Sequence, residues 1–337
     1  MKPFFSILIP VYNQVGLMDG CIASIQKQSF KDLEVVFVDD GSTDESLKML
    51  EEFCTKDNRF KIVRHEKNQS LLAARYTGMQ NASGHYILFV DSDDYLSDNA
   101  LELIHNKLAK EEVDILRFGY SKDFVDGYNE SVTKGQASEE VHPLVTDNPL
   151  KAILEDKMVP NVWKNCYKEN VIKLALDRVQ PFYCNMSEDV YWSVILFSCA
   201  STDGVLDEIL YHYIIGNGMS TTTTHQTTAK IKKNMESVDN AIDNIRSFAS
   251  KYAKWVEEYI EEKYITICCF LLIVAIIDET DYKNVVDILK VFDTEKTARV
   301  YEYGCNKALL YKVRTQYKIT DEMLDELGVP YDKFSMK

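Results

Sequence analysis

The stretch Leu33–Ser46, LEVVFVDDGSTDES, carries the reading of the fold. Leu33–Val38 is an apolar, β-prone run interrupted by one charge, Glu34. Asp39 and Asp40 follow at once. Ser42 and Asp44 then offer caps for a helix with Leu47, Leu50, Phe53 and Cys54 on one face. A buried strand that turns through a short polar loop into an amphipathic helix is half of a βαβ unit. The rhythm repeats on either side. Upstream, Phe4–Pro10 (FFSILIP) is a strand, followed by a helix with Met18, Cys21, Ile22 and Ile25 at helical spacing. Downstream, strands are expected at Phe60–Arg64, Tyr86–Val90 and Val113–Phe118. Between them lie a helix over about 70–81 and one from the Asp98 cap through Leu101, Ile104 and Leu108. This alternation gives an α/β fold with a mostly parallel sheet, right-handed crossovers and helices on both faces.

Composition sets the outer limits. The chain has 337 residues, enough for roughly two domains or one large domain with an appendage. Its 46% hydrophobic content is that of packed protein, which excludes the disordered and collagenous classes. The 38 Lys and Arg face 53 Asp and Glu, and a net charge of −15 argues against a nucleic-acid partner, which needs a basic face. The N-terminal MKPFFSILIPVYN is broken by Pro10 and lacks a small-residue cleavage site, unlike a signal peptide. Eight cysteines show neither a CxxC pair nor zinc spacing; they read as reduced and mostly buried, which points to a cytoplasmic protein. The longest apolar stretch, Tyr264–Ile277, is shorter than the ~18 residues of a bilayer span and reads as a buried helix.

From Gly119 to Asn148 the alternation fails, and this polar segment reads as a loop or irregular hairpin over a site. Order returns with a helix near Pro149–Asp156, the run VPNVWKNCYK, a strong helix from Ser187 (SEDVYWSVILFSCA) and an extended segment over Val205–Ile215. GNGMSTTTTH (216–225) reads as a loop or boundary, and beyond Thr228 the chain reads as all helix. Two domains follow: 1–225, the α/β domain, and 226–337, an all-helical extension. Within the extension, Lys296–Lys318 (296–318) holds six basic residues against the single acid Glu302. This amphipathic stretch suits peripheral contact with an anionic membrane, a solvated helical cap, or a contact between copies in a homo-oligomer.

Ligands of an open parallel sheet lie beyond the carboxyl ends of its strands. There the sequence places Val11-Tyr12-Asn13 after the first strand, Asp39-Asp40-Gly41-Ser42 after the second and Asp91-Ser92-Asp93-Asp94 after the fourth. Neither GxGxxG nor GxxxxGK[ST] is present, so no dinucleotide fingerprint and no P-loop is expected. Carboxylates alone repel a phosphate. They fit a hard divalent ion, Mn²⁺ or Mg²⁺, that grips a diphosphate. Asp91 and Asp93, two apart on a strand end, point the same way and are candidate metal ligands. Asp39 or Asp40 would accept a hydrogen bond from a base edge or a ribose hydroxyl. Both clusters have an ordinary competitor, because Asp also stabilises turns and helix starts. Arg75 is either a solvated helix residue or a diphosphate contact. Glu188 and Asp189 open a helix, where the dipole favours acids in any case; the alternative is a general base for an attacking hydroxyl. Trp163 reads as a core anchor or a sugar-stacking platform, while His212 and His225 have no partner at ligand spacing.

Taken together, FSILIPVYN, SIQKQSFKDLEVVFVDDGSTDES, N…AARYTGM…ASGHYILFVDSDD and SEDVYW, in order over about residues 3–225, resemble family 2 glycosyltransferases with the GT-A fold, of the bacterial surface-polysaccharide type. The resemblance implies a metal-dependent, inverting transferase of hexosyl or N-acetylhexosaminyl groups. The donor would be a nucleoside-diphosphate sugar, a UDP-sugar by family preference. The acceptor would be a saccharide or lipid-linked saccharide in cell-surface polysaccharide synthesis, at the inner face of the plasma membrane. By position, the resemblance implies a donor site of Pro10, Tyr12, Asn13, Asp39, Asp40, Arg75, Asp91 and Ser92. It implies Mn²⁺ or Mg²⁺ on Asp93 and Asp91 of a DxD motif, and Asp189 as catalytic base supported by Glu188.

Two positions depart from the family pattern. Trp163-Lys164-Asn165-Cys166-Tyr167 exchanges the amide and amine of the usual W-N-K-x-Y, and Ile214 stands where many members carry Arg. Two rival readings remain. A nucleotidyltransferase is expected to carry a Gly-rich phosphate loop after the first strand, where PVYNQVG offers only Gly16. A non-catalytic sugar-nucleotide-binding scaffold has the intact Asp91, Asp93 and Asp189 against it.

Overall fold

The computed structural model describes residues 2–124, 139–215, 227–276 and 282–292. The first elements in chain order are β1 (Phe5–Val11), α1 (Asp19–Lys27), β2 (Leu33–Asp39), α2 (Ser46–Lys56), β3 (Phe60–Arg64), α3 (Leu71–Asn81) and β4 (Tyr86–Phe89). Next come β5 (Tyr95–Leu96), α4 (Ala100–Lys110), β6 (Ile115–Phe124), β7 (Glu139–Val141), α5 (Pro149–Leu154), β8 (Asn165–Lys168) and α6 (Glu169–Arg178). The last are α7 (Glu188–Cys199), β9 (Asp203–Ile215), α8 (Thr228–Tyr252), α9 (Glu257–Ile276) and α10 (Tyr282–Phe292).

β1 and β2 are buried along nearly their whole length, which is why they read as unbroken apolar runs: a central strand is covered on both faces. The sheet runs β3-β2-β1-β4-β8-β6-β9-β5, with β7 beside β6. Its first four strands are parallel, as the βαβ rhythm requires. Beyond β4 the sheet is mixed. β8 runs antiparallel to β4 and β6, β9 parallel to β6, and β5 and β7 antiparallel to β9 and β6. The parallel character is therefore complete only in the first half.

Gly119–Asn148 holds more order than its polarity suggests, since β6 continues to Phe124 and β7 pairs with it. The rest of that segment, 125–138, lies outside the described residues, as do the 216–225 tract with His225 and the basic stretch 296–318.

The chain divides into two compact units, Met1–Thr222 with Asn240–Glu257, and Thr223–Asp239 with Glu258–Lys337. In the second unit α9 buries Tyr264, Ile265, Cys268, Cys269 and Leu272, as its apolar sequence anticipates. No helix among the described residues is long and apolar enough to cross a membrane. Of the seven described cysteines, all but Cys54 are buried.

In the first unit α3 lies against β1 and β2. Gly78 faces the side chains of Leu8 and Val38 and lets the helix sit close to the sheet. That seating aims the preceding turn of α3 at the carboxyl edge of the sheet.

Candidate active site

The loops behind β1 and β2 are tied together. The Asp40 N–H donates to Val11 O (2.8 Å), the Asn13 N–H to Ser42 Oγ (3.1 Å) and the Thr43 N–H to Asn13 Oδ1 (2.8 Å). Asn13 (φ 54°) and Gly41 (φ 71°) adopt left-handed backbone there. At Gly41 a Cβ would lie 2.6 Å from the Lys67 carbonyl carbon, so only glycine fits. Tyr12 is exposed at the lip.

Asp39 and Asp40 have different surroundings. Asp40 is engaged on both oxygens: Oδ1 lies 2.6 Å from His65 Nδ1 and accepts the Gln69 N–H (2.8 Å), while Oδ2 accepts the Ser70 N–H (3.0 Å). Asp39 Oδ1 accepts the Ser42 N–H (3.1 Å), but its buried Oδ2 has no hydrogen-bond partner and only a 3.5 Å ion pair with Arg64 Nε.

α3 starts from Ser70 (φ 96°), and its leading N–H groups are met from other loops, by Asp40 and by Asn185 Oδ1 on Leu71 (2.9 Å). A turn further on, Arg75 is 1% exposed. Its Nη2 donates to Asp91 Oδ1 (3.0 Å), and its Nη1 to Asp189 Oδ1 (2.8 Å) and Glu188 Oε1 (3.3 Å). One guanidinium thus joins the loop behind β4 to the first turn of α7. Burial pushes both the Glu188 and Asp189 carboxyls up; Arg75 opposes this at each, and the Val162 N–H helps at Asp189.

The loop behind β4 is clamped from β9. The Tyr211 hydroxyl donates to Asp94 Oδ2 (2.6 Å) and accepts the Asp91 N–H (3.1 Å), and the Ile214 N–H donates to Asp94 Oδ1 (2.8 Å). Burial, then Asp91 and Asp93, raise the Asp94 carboxyl well above the usual range. Burial, then Asp91, push Asp93 up to about 6. Asp91 and Asp93 suit a hard divalent ion, since both offer carboxylate oxygens and a cation relieves the repulsion between them. Asp94 is held on both oxygens, by Tyr211 and Ile214. Among the described residues no three His, Cys, Asp or Glu side chains form a metal cage. Mg²⁺ and Mn²⁺ tolerate this, because water and phosphate oxygens complete their coordination.

Residues 6–156 match the family model described as Glycosyl transferase family 2. Over this span, just under half of the chain, it is similar to that family. It is 29% identical over 213 residues to the uncharacterized glycosyltransferase EpsJ, and 30% over 219 residues to the putative glycosyltransferase EpsH, both of Bacillus subtilis. Each alignment takes in 63% of this chain and 61% of the relative, so the chain spans under two thirds of those relatives' length. Among solved structures, S. aureus TarS 1–349 in complex with UDP-GlcNAc superposes with a TM-score of 0.54 at 18% identity, over 94% of this chain and 92% of TarS. That likeness shows the fold, the GT-A arrangement with helices following it.

The geometry gives several expected residues particular surroundings. Asp40 is engaged by His65, Gln69 and Ser70 in the loop that starts α3, whereas the buried Asp39 Oδ2 accepts no hydrogen bond and is the less engaged acceptor. Arg75 is not solvated: its Nη atoms meet three carboxylates, and its buried Nε has no hydrogen-bond partner. Pro10 is buried inside β1 opposite Val38, past the last β1–β4 pair, where its missing N–H breaks no ladder bond. Ser92 is buried beneath the loop. Trp163 is a core anchor, stacked on Tyr211 with centroids 4.3 Å apart and on Tyr213 at 5.7 Å.

Sequence reasoning missed Tyr211 and Asp94 as the clamp, and it noted Lys164 only as a departure from pattern. The exchange in Trp163-Lys164-Asn165 has structural content. Asn165 Nδ2 donates to Asn161 O (2.9 Å) and Tyr167 Oη (2.9 Å), while Lys164, 8% exposed, donates to Val159 O. Burial lowers the Lys164 pKa to about 8 against the pull of Asp189.

Proposed function

We propose that this chain transfers a glycosyl group, with inversion, from a nucleoside-diphosphate sugar to an acceptor hydroxyl in the synthesis of a surface polysaccharide. The observation that carries the reading is Arg75 holding Asp91 and Asp189 at once, a donor-side carboxylate and a base within reach of one side chain. Asp189, whose negative charge Arg75 favours, takes the proton of the acceptor hydroxyl as its oxygen bonds to the anomeric carbon. The bond from that carbon to the donor's phosphate oxygen breaks, and its electron pair leaves with the diphosphate. An α-linked donor gives a β-linked product, with no protein nucleophile. Asp91 and Asp93 would hold Mn²⁺ or Mg²⁺, and what such an ion supplies there is neutralisation of charge on the departing diphosphate.

A UDP-sugar is the donor the reading favours. The unpartnered Asp39 Oδ2 suits the imide N–H of uracil, and the TarS structure of similar fold was solved with UDP-GlcNAc. The acceptor is a saccharide or a lipid-linked saccharide.

The test is donor hydrolysis and binding with UDP-, GDP-, dTDP- and CMP-sugars in Mn²⁺ or Mg²⁺. Metal-dependent release of one nucleoside diphosphate, lost in Asp93→Ala, is expected. Asp189→Asn should still bind donor yet fail to transfer. No metal-dependent binding of any nucleotide sugar would overturn the proposal.

A further inference from the structure

Asp189 has neighbours besides Arg75. The Val162 N–H donates to its carboxylate, and Lys164, two residues further on, is close enough for its charge to act there. Lys164 also forms part of the wall of a pocket of about 120 Å³, the liquid volume of roughly four waters. Neither Asp39 nor Asp91 nor Asp93 lines this pocket, so it is separate from the donor carboxylates.

Its walls combine the basic groups Arg117, Lys157, Lys164 and His142 with apolar surface, and Lys157 is paired with Glu155. Arg117 is committed, with Nε and Nη2 on Asp203 Oδ2 (3.0 and 2.7 Å) and Nη1 on Leu144 O. The Lys164 ammonium donates to Val159 O, which leaves N–H donors for the pocket. Each of these two buried cations raises the cost of charging the other, and Arg117 is one of the groups that depress the Lys164 pKa. An anionic group beside them relieves that repulsion. Tyr120 and Met158 supply apolar wall, and Leu144 and Val159 are exposed at the rim.

Resting on the transferase reading above, we infer that this pocket is an acceptor subsite and that the acceptor carries an acidic group, carboxylate or phosphate, bound by Lys164. The acceptor hydroxyl has to reach Asp189; Asp189 is not itself in the pocket wall, but Lys164 is, two residues from the Val162 N–H that donates to Asp189. The buried ammonium sets the ligand's charge, and the apolar wall takes the face of a sugar ring.

The experiment uses the full chain with ¹³C-methyl methionine. The chain has ten methionines, and the Met158 resonance is assigned with Met158→Leu. The probes are glucuronate, glucose 6-phosphate, inorganic phosphate and glucose. Saturable Met158 shifts with glucuronate or glucose 6-phosphate are expected, at affinities about tenfold or more above those for glucose and inorganic phosphate. Preference between the two acidic sugars tells carboxylate from phosphate. Lys164→Met, close in volume, should weaken the acidic sugar about tenfold or more, and Lys164→Arg should restore most of it.

Equal binding of glucose, binding unmoved by Lys164→Met, or inorganic phosphate as tight as both acidic sugars would overturn the inference; the last would mark an adventitious ion only. UDP-sugar binding is measured on the same samples. Its loss with the Met158 shifts intact overturns the acceptor role together with the transferase reading. Donor binding without Met158 shifts overturns the subsite alone.

Discussion

Arg75→Met keeps most of the side-chain volume and removes the charge that three carboxylates share. In the wild type the guanidinium meets Asp189, Asp91 and Glu188 at 2.8, 3.0 and 3.3 Å. Removing one partner of a buried ion pair costs about 3–5 kcal/mol, because the charge left behind is buried and uncompensated. The Asp91 and Asp189 side chains keep 25% and 28% exposure, so water takes up part of that load. The lower end, about 3 kcal/mol, is therefore expected at pH 8, or a fall in melting temperature of roughly 6–12 °C for a unit of this size.

The pH dependence separates lost charge from lost packing. Glu188 and Asp189 already have raised folded pKa values, and Arg75 is what holds them down. Without it they rise further. A carboxyl whose folded pKa exceeds its unfolded one contributes stability when protonated, and that contribution disappears as pH rises through the folded value. The deficit of Arg75→Met is thus largest at pH 8 and shrinks toward pH 5. Urea unfolding of both proteins at the two pH values measures it. A deficit below about 1 kcal/mol at pH 8, or an equal deficit at both, would refute the assignment of Arg75 as counter-charge.

Asp93→Asn should stabilise the metal-free chain at pH 8 by at most roughly 3 kcal/mol, from a folded pKa of about 6 against an ordinary 3.8, while abolishing metal-dependent donor hydrolysis. The sign is fixed by the raised value: the wild type loses stability as pH climbs through about 6, and urea curves at pH 4 and pH 8 should show a flatter profile for the variant. Asp39→Asn and Asp40→Asn should part company. The first keeps the Ser42 bond and lowers nucleotide-sugar affinity about tenfold at near-native stability; the second breaks up the His65, Gln69 and Ser70 contacts and costs about 1.5–3 kcal/mol, read by calorimetry and thermal melts. Gly41→Ala should cost at least about 1–2 kcal/mol, since φ is 71° and the new Cβ would meet Lys67 backbone at 2.6 Å; a melt indistinguishable from wild type would contradict that geometry.

The parallel half of the sheet is legible in sequence because β1, β2 and β4 are buried on both faces, and the apolar runs of β2 and β4 end on acid-rich loops. β8 and β5 are not, being four and two residues long, too short for alternation to show. Their antiparallel pairing is decided by tertiary contact. Asp39 and Asp40 look interchangeable in the sequence, yet successive residues at a strand end face opposite ways. Which one is consumed depends on where the loop 65–70 lies, far along the chain. Arg75 is hidden for another reason. Leu72, Ala73, Ala74, Arg75 and Tyr76 are all buried, so α3 has no solvent face in that turn, and periodicity cannot tell an exposed arginine from an enclosed one.

The division of labour along the chain follows from the same contacts. The loops that present Asp39, Asp91 and Asp93 lie inside residues 6–156, the span matched by the family model, while Lys164, Asp189 and the clamping Tyr211 lie beyond it. The proposed donor-side carboxylates are thus carried by the parallel half of the sheet, and the proposed base and the Lys164 pocket by the mixed half and α7. Arg75 is the joint, since it belongs to the matched span and ends on Glu188 and Asp189 outside it. Substitutions around Lys164 can therefore change what reaches the base without disturbing the carboxylates opposite, provided the three contacts of Arg75 survive. A change at Arg75 alters both sides at once. Donor affinity and transfer rate should accordingly fall together in Arg75 variants and separately in variants of Asp39 and Lys164.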